Sequence, residues 1–408
     1  MRVVHIQYGM PPAGNACFRL HSEMRKRGIE SSVLTIKQSI KRNYVYNLKR
    51  GVIPLLKEVL GFLYGKYVKR LLLPSAYIYS YKPFTGAIVH KEPIVQNADV
   101  IYLHWIAGGC MTFGEIEKII QLGKPVIFFM HDMWDFTGGC HHSFDCKEFE
   151  TGCRNCKMFV RNSNMPSYHL MAKKKLYSKY SNIVFISPSL WMEEKAKRSI
   201  ALQGKNVISI SNVVDECNFK PLDKKIAREI LNLPQNKTII SFGCQAGTTN
   251  QYKGWSYLKE AIDHLEIDNI HVLIYGSDFN KTTQDQVKYP ITFLGPILDE
   301  TKLSLICNAS DVFVSPSLAE SFGLTFLENI LCGTPVVGFD NTAVGEIVIS
   351  GNTGYLADNR NPEDLAKGIE SILNKKTPLL FKYDYSTDDV IKKHVVLMES
   401  LLNKTNEK

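Results

Sequence analysis

No run of eighteen uncharged apolar residues occurs in this 408-residue chain, which argues against a transmembrane helix. There is no short-period repeat and no low-complexity tract, so neither a repeat array nor a compositionally disordered chain is indicated. No Gly-x-Gly-x-x-Gly follows a strand pattern, which disfavours a nicotinamide dehydrogenase. No leader pattern opens the sequence: Met1-Arg-Val-Val-His-Ile-Gln-Tyr reads directly as a strand, too short and too polar for a signal peptide. A cytosolic chain is the expectation, and its ten cysteines are then mostly reduced thiols. Acid is scarce in one place only. From Lys37 to Lys82 ten basic residues face Glu58 alone, which accounts for the excess of +9 in the whole chain. The remainder is near neutral, so a local basic patch is expected and a nucleic-acid footprint is not.

What is present is an alternation. Short apolar strands at 3–6, 32–35, 100–104, 126–130 and 183–186, then at 238–242, 271–275, 291–294, 312–315 and 336–339, are separated by amphipathic helical patterns. That order predicts a parallel, doubly wound α/β protein. The length is too great for one ordinary core, so two domains are expected. The join is placed near 211–215, giving 1–210 and 211–386, with a last helix in 387–408 that could return to pack on the first domain. Ligands of such sheets lie beyond the carboxyl ends of the strands, so a cleft between the domains is the expected site.

The most informative stretch runs from Ser315 to Glu328 (Ser-Pro-Ser-Leu-Ala-Glu-Ser-Phe-Gly-Leu-Thr-Phe-Leu-Glu), between two apolar runs. It reads as strand, loop, helix start. The first N–H groups of a helix and its positive dipole end suit an anion. Glu320 and Glu328, eight positions apart, can grip hydroxyls beside it. Phosphate plus hydroxyls suggests a sugar nucleotide, although an ordinary helix start with solvated glutamates would look similar.

Further segments carry a family likeness. Cys332-Gly-Thr-Pro-Val-Val, Val344-Gly-Glu-Ile-Val, Gly351-Asn-Thr-Gly-Tyr-Leu, Asn212-Val-Val-Asp215 with Phe219-Lys-Pro221, and Pro12-Ala-Gly14-Asn follow one another in an ordered set. With Glu320-x7-Glu328, the chain resembles the retaining glycosyltransferases of family 4, and bacterial surface-polysaccharide enzymes in particular. The resemblance implies the GT-B fold, two facing Rossmann-like domains with an interdomain cleft. It also implies transfer from a nucleoside-diphosphate sugar to a hydroxyl of a glycan acceptor, polyprenyl-linked in the expected setting. By carry-over, Glu320 meets the transferred sugar and Glu328 the ribose, while the N–H groups of Phe322, Gly323 and Leu324, with Gly14 and Lys253, face the diphosphate. Glu346 is a lesser candidate. The family's Gly-Arg is absent: Gly243 is followed by Cys244, and the second positive charge is missing. No Asp-x-Asp occurs, which favours a metal-independent reaction with no cofactor.

In the first domain, His104-Trp105 and His131-Asp132-Met-Trp134 close two strands. His131 matches the family's active-site histidine and is taken as catalytic. Asp132 could orient its ring, and His104, Trp105 and Trp134 are acceptor candidates. The competing reading is a buried His–Asp pair with two core tryptophans. Cys140, Cys146, Cys153 and Cys156, in a cysteine-rich loop at 138–160, admit a structural zinc knuckle, a redox pair or plain thiols packing a loop, and the last is preferred. Residues 41–97 fit the family least. Val52, Leu56, Val59, Leu63, Tyr67 and Leu71 recur at helical spacing among lysines and tyrosines. Such a helix either covers the domain or lies on an anionic membrane through 41–82, and the pattern favours neither. A sugar-nucleotide epimerase of the same fold and a catalytically inactive membrane scaffold are the alternatives to transfer.

Overall fold

The computed structural model describes residues 1–10, 15–38, 41–48, 55–71, 79–81, 83, 85–160, 163–243, 248, 250–374 and 385–406. Gly14 and Cys244 lie outside them. The chain divides into two compact units. The first comprises Met1–Pro11, Asn15–Val213 and Asp388–Lys408, and the second Pro12–Gly14 and Val214–Thr387.

The first unit holds seven strands: β1 (Arg2–Met10), β2 (Glu30–Gln38), β3 (Val45–Asn47), β4 (Val100–Leu103), β5 (Val126–Phe129), β6 (Ile183–Ser187) and β7 (Val207–Ser209). They lie in the order β3-β2-β1-β4-β5-β6-β7, all parallel. Every residue of β4, β5 and β6 is buried, as expected of central strands covered on both faces. One face carries Val3, Val100, Tyr102, Ile127 and Phe129. Against it lie Leu20 and Met24 of the helix Ala16–Lys26, and Val390, Ile391 and Met398 of the last helix, Thr387–Asn406. The last helix therefore packs on the first unit's sheet, where the Tyr102 hydroxyl meets His394 Nδ1 at 3.1 Å.

The second unit holds β8 (Thr238–Gly243), β9 (Ile270–Tyr275), β10 (Ile291–Phe293), β11 (Val312–Ser315), β12 (Val336–Phe339) and β13 (Gly354–Ala357), in the order β10-β9-β8-β11-β12-β13, again all parallel. Both sheets are doubly wound and Rossmann-like. In each, the strand order reverses beside the first strand, at β1/β4 and at β8/β11, the place where ligands of such sheets bind beyond the carboxyl ends.

All ten strands read from the sequence are present. The three it does not signal, β3, β7 and β13, are short strands at sheet edges in which only one or two residues are buried, so they lack a continuous apolar run. Within 41–97 the helix Leu55–Leu71 forms, but its stripe is not packed away. Of that stripe Val59, Leu63 and Tyr67 are exposed and Leu71 is partly buried; Leu60 and Phe62, outside it, are exposed as well, while Val68 is buried. Val52 and the side chain of Leu56 lie outside the described residues. No described helix is long and apolar enough to cross a membrane.

Candidate functional site

In the second unit the site is built at the reversal between β8 and β11. After β11 the chain runs through Pro316 to Gly323, and the helix Leu324–Leu331 begins. Gly323 ends the loop at φ 98°, a left-handed conformation that glycine adopts without strain, and no side chain caps the helix. Phe326 and Leu327 donate their N–H groups to the Gly323 carbonyl at 3.0 and 3.2 Å. The N–H groups of Leu324 and Thr325, one turn earlier, have no intrahelical acceptor, so this end can receive an anion. Phe322 is buried, its ring edge-on to Tyr385 at 5.7 Å, which anchors the loop from behind.

Glu320 is half-buried at this helix start. Its backbone N–H donates to Thr342 Oγ1 at 2.9 Å, and its carbonyl accepts from the Ala343 N–H. Thr342 is itself held at φ 48°, costly for a β-branched residue, by the Asn341 side chain, which also bonds the Ser317 carbonyl. No sequence signal marks Asn341 or Thr342 as supports. Glu320 Oε1 lies 2.6 Å from Lys253 Nζ, with the side chains only 14% and 18% exposed. The sequence reading named both residues, one for the sugar and one for the phosphates, and the structure brings them into direct contact. Tyr252 and Gly254 deliver the lysine: the Tyr252 carbonyl accepts the Leu318 N–H at 2.8 Å, tying its turn to the loop after β11. Glu328, one turn further along the helix, is 2% exposed, and its charge adds to burial and to the neighbouring Cys332 in holding the Cys307 thiol protonated. Glu346 is half-buried in the next loop, where its carbonyl accepts the Tyr385 hydroxyl at 2.9 Å.

In the first unit the residues at the ends of β4 and β5 sort differently from expectation. His104 is buried behind His131 and contacts its ring nitrogen at 2.8 Å, so it presents no face to a ligand. Trp134 is buried too. Its indole N–H donates to the Ser80 carbonyl, and Lys173 lies over its ring at 3.8 Å. For these two the core reading is correct: the chain turns inward into a 3-10 turn, Met133–Phe136, directly after Asp132. Asp132 does not orient His131. Its carboxylate accepts from the Trp134 N–H, the Trp105 indole and His141 Nδ1, at 2.8, 2.9 and 2.6 Å. Buried as it is, Asp132 stays below the ordinary carboxylate range, because His141 and these donors outweigh desolvation. Trp105 remains half-buried and stacks on His141, and of the two tryptophans it alone keeps a partly open face.

The cysteine-rich loop is irregular. Burial holds the thiols of Cys140 and Cys153 protonated, and Cys153 is pushed up to about 12. Cys156 is partly buried and Cys146 exposed. Among the described residues the three metal-type donors that gather within 4.8 Å of one another are His5, Cys17 and His104, not the cysteine quartet.

Residues 223–386 match the family Glycosyl transferases group 1, which covers the second unit's donor-side elements. Over 314 residues the chain is 27% identical to D-inositol 3-phosphate glycosyltransferase 2 of Catenulispora acidiphila, covering 71% of this chain and 66% of that one. Over 204 residues it is 40% identical to the D-inositol 3-phosphate glycosyltransferase of Rhodococcus erythropolis, covering 46% of this chain and 45% of that one. The matches thus span two thirds or less of these relatives' lengths. Solved structures share the fold across the whole chain. A glycosyltransferase from Rickettsia africae has a TM-score of 0.64 at 13% identity, covering 98% of both chains. Anabaena HepE in complex with UDP and glucose has a TM-score of 0.61 at 15% identity, covering 100% of this chain and 97% of that one. The second unit thus carries a Glycosyl transferases group 1 region, and the chain is similar in its paired Rossmann-like sheets to GT-B glycosyltransferases and in sequence to D-inositol 3-phosphate glycosyltransferases.

Proposed function

We propose that the chain transfers a sugar from a nucleoside-diphosphate donor to a hydroxyl of a glycan acceptor, with retention of configuration and without a metal. The observation that carries this is the Lys253–Glu320 pair at the uncapped start of the helix Leu324–Leu331. A diphosphate arriving there meets an ammonium and first-turn N–H groups, which supply the charge stabilisation that a leaving phosphate needs. Lys253 would then divide its hydrogen bonds between Glu320 and a phosphate oxygen. Glu320, beside them, accepts a hydroxyl of the transferred sugar. Glu328 accepts from the ribose, at a depth set by its burial. As the bond from the anomeric carbon to the phosphate oxygen breaks, the acceptor oxygen bonds that carbon on the same face. Its proton passes to the departing phosphate, so no strong protein base is required. His131 is assigned to the acceptor side.

The acceptor we favour is lipid-linked, in bacterial surface-polysaccharide assembly. The support is the exposed apolar row Val59, Leu60, Phe62, Leu63 and Tyr67, with Lys66 and Arg70 on the same helix. A helix of that make-up lies on an anionic membrane surface.

Thermal-shift screening with UDP, GDP, ADP and CMP sugars tests the donor site, since a ligand bound only by the native state raises Tm. One of these sugars should stabilise the protein. Glu320→Gln should abolish transfer yet keep that stabilisation, and Glu328→Ala should lose it. A protein that no nucleotide sugar stabilises, or variants with full activity, would reject the assignment.

A further inference from the structure

Three histidines form a continuous buried row behind the first unit's candidate residue. His5 Nδ1 lies 2.9 Å from His104 Nε2, and His104 Nδ1 lies 2.8 Å from His131 Nε2. The row follows from strand alternation. β1, β4 and β5 are neighbours, and Val3/His5, Val100/Tyr102/His104 and Ile127/Phe129/His131 each continue one face of the sheet toward its carboxyl edge. The rings pack tightly: His5 on Tyr102 at 4.9 Å, and His104 on His131 at 5.1 Å.

Two hydrogen bonds in series leave a neutral row with two choices. Either every ring carries its proton on Nδ1, or every ring carries it on Nε2. The far end decides between them. His5 is fully buried, and its Nε2 has no hydrogen-bond partner among the described residues. A bare nitrogen lone pair there is tolerable, whereas an orphaned buried N–H is rare in native proteins. The proton of His5 therefore sits on Nδ1 and is donated to His104. His104 in turn donates from Nδ1 to His131 Nε2, and His131 is left with its proton on Nδ1.

We propose that His5 and His104 are positioning residues that lock His131 in the Nδ1–H tautomer, so that it meets its ligand as a hydrogen-bond donor and not as a base. Nε2–H is the commoner tautomer of a free histidine side chain, so without the row His131 would point a bare nitrogen outward for part of the time. The surroundings keep the row neutral. His21 and Cys17 approach from the helix Ala16–Lys26, His394 from the last helix, Tyr102 and Phe129 lie between the strands, and Asp132 adjoins His131. Burial drives the histidines down, His131 to about 4, and for His5 and His104 the neighbouring histidines add to it. The proposal rests on His131 having the functional role argued above, but the tautomer can be read without any activity.

Two-bond nitrogen–proton correlation spectra of the full-length protein labelled with 15N-histidine, at pH 7.5, report each ring's tautomer. His5, His104 and His131, assigned by single substitutions, should all appear as Nδ1–H. An Nε2–H signal at His131 would overturn the proposal whatever the enzyme proves to transfer. His104→Phe fits the stack but cannot donate. With nothing left to donate to Nε2, His131 should lose its single tautomer: Nε2–H should appear beside Nδ1–H and kcat should fall severalfold, because only one form donates to the ligand, with the donor KM within about twofold. His104→Asn, whose amide can still donate, should restore Nδ1–H and most of kcat. Equal losses in the two variants would reduce His104 to packing.

Discussion

A Cβ on Gly254 would stand 1.9 Å from the carbonyl oxygen of Pro316. Gly254 also sits at φ 78°, where side chains are strained whatever the space. This close approach lays the Gln251–Lys253 turn on the loop after β11 and sets Lys253 against Glu320. Gly254→Ala must push the turn away from Pro316. We expect it to cost about 1–3 kcal/mol in urea unfolding and to weaken nucleotide-sugar binding more than its stability loss explains. Unchanged affinity would show that Lys253 does not depend on this contact.

Lys253 and Glu320 can be separated energetically. Both are mostly buried, so their contact is a charge-assisted bond with little solvent screening. Lys253→Ala should reduce transfer about a hundredfold or more, the scale for losing one group that stabilises developing charge. In a double-mutant cycle with Glu320→Gln, the two losses should fall short of adding, because each removes a partner of the other. Strict additivity in kcat/KM would mean that the pair seen here has no part in catalysis.

The proposed donor side could be read as a helix start in the sequence because its residues are local. Glu320, Gly323 and Glu328 lie on one loop and helix, and spacing alone reports a helix start. Lys253 needed the family pattern, and its contact with Glu320 needed the β8/β11 neighbourhood. The first unit was harder to read. His104 and Trp134 look like site residues because they end strands, yet whether such a residue turns outward depends on the next few backbone angles. His5 drew no attention as one polar residue in an apolar strand. Only the strand order β1-β4-β5 puts it in line with His104 and His131. The exposed apolar row on Leu55–Leu71 was visible as periodicity, but periodicity does not say whether a stripe is covered.

Lys173 is fully buried beneath the turn that follows His131. It donates to the Trp134 carbonyl, and to the Thr137 carbonyl at 3.0 Å. Burial drives its ammonium down and the neighbouring Asp135 up, and each charge opposes the other's shift. Lys173→Met takes a donor from both carbonyls, leaving Trp134 only the long bond from the Thr137 N–H at 3.4 Å, and leaves Asp135 without its counter-charge. A loss of about 3–5 kcal/mol is expected, the scale for breaking one side of a buried pair. Adding Asp135→Asn should recover part of it. If denaturant unfolding finds Lys173→Met neutral, the lysine does not anchor this turn.

The cysteines differ in access. Cys146 and Cys217 are exposed, whereas Cys153, Cys307 and Cys332 are buried. A maleimide added to the native protein should label Cys146 and Cys217 first and reach the others only on unfolding, since buried protonated thiols are inert. Mass mapping of labelled peptides checks this. Zinc held by Cys140, Cys146, Cys153 and Cys156 would instead shield Cys146 until a chelator is added, so protection of Cys146 together with stoichiometric metal would replace the reading as packed thiols.

Five buried or half-buried histidines also set how the fold responds to acid. Relative to the ordinary value of 6.5, burial lowers His21 and His131 to about 4 and His394 to about 3, and takes His5 and His104 well below it. Between about pH 4 and 6.5 the unfolded chain binds protons that the folded chain refuses, so acid favours unfolding. Their contribution is fully present above about pH 6.5, is lost progressively as the pH falls, and for His21 and His131 is gone near 4. Each group adds up to about 1.4 kcal/mol per pH unit within its window. Urea midpoints should therefore drop steeply between pH 6 and 5, by the histidines' share less the one proton that buried Asp135 holds in the folded chain. Substituting His394 by Phe, which removes one titrating group from the core, should flatten that slope by up to one proton's worth. A midpoint that stays level down to pH 5 would mean that these histidines are already protonated, or hydrated, in the native protein.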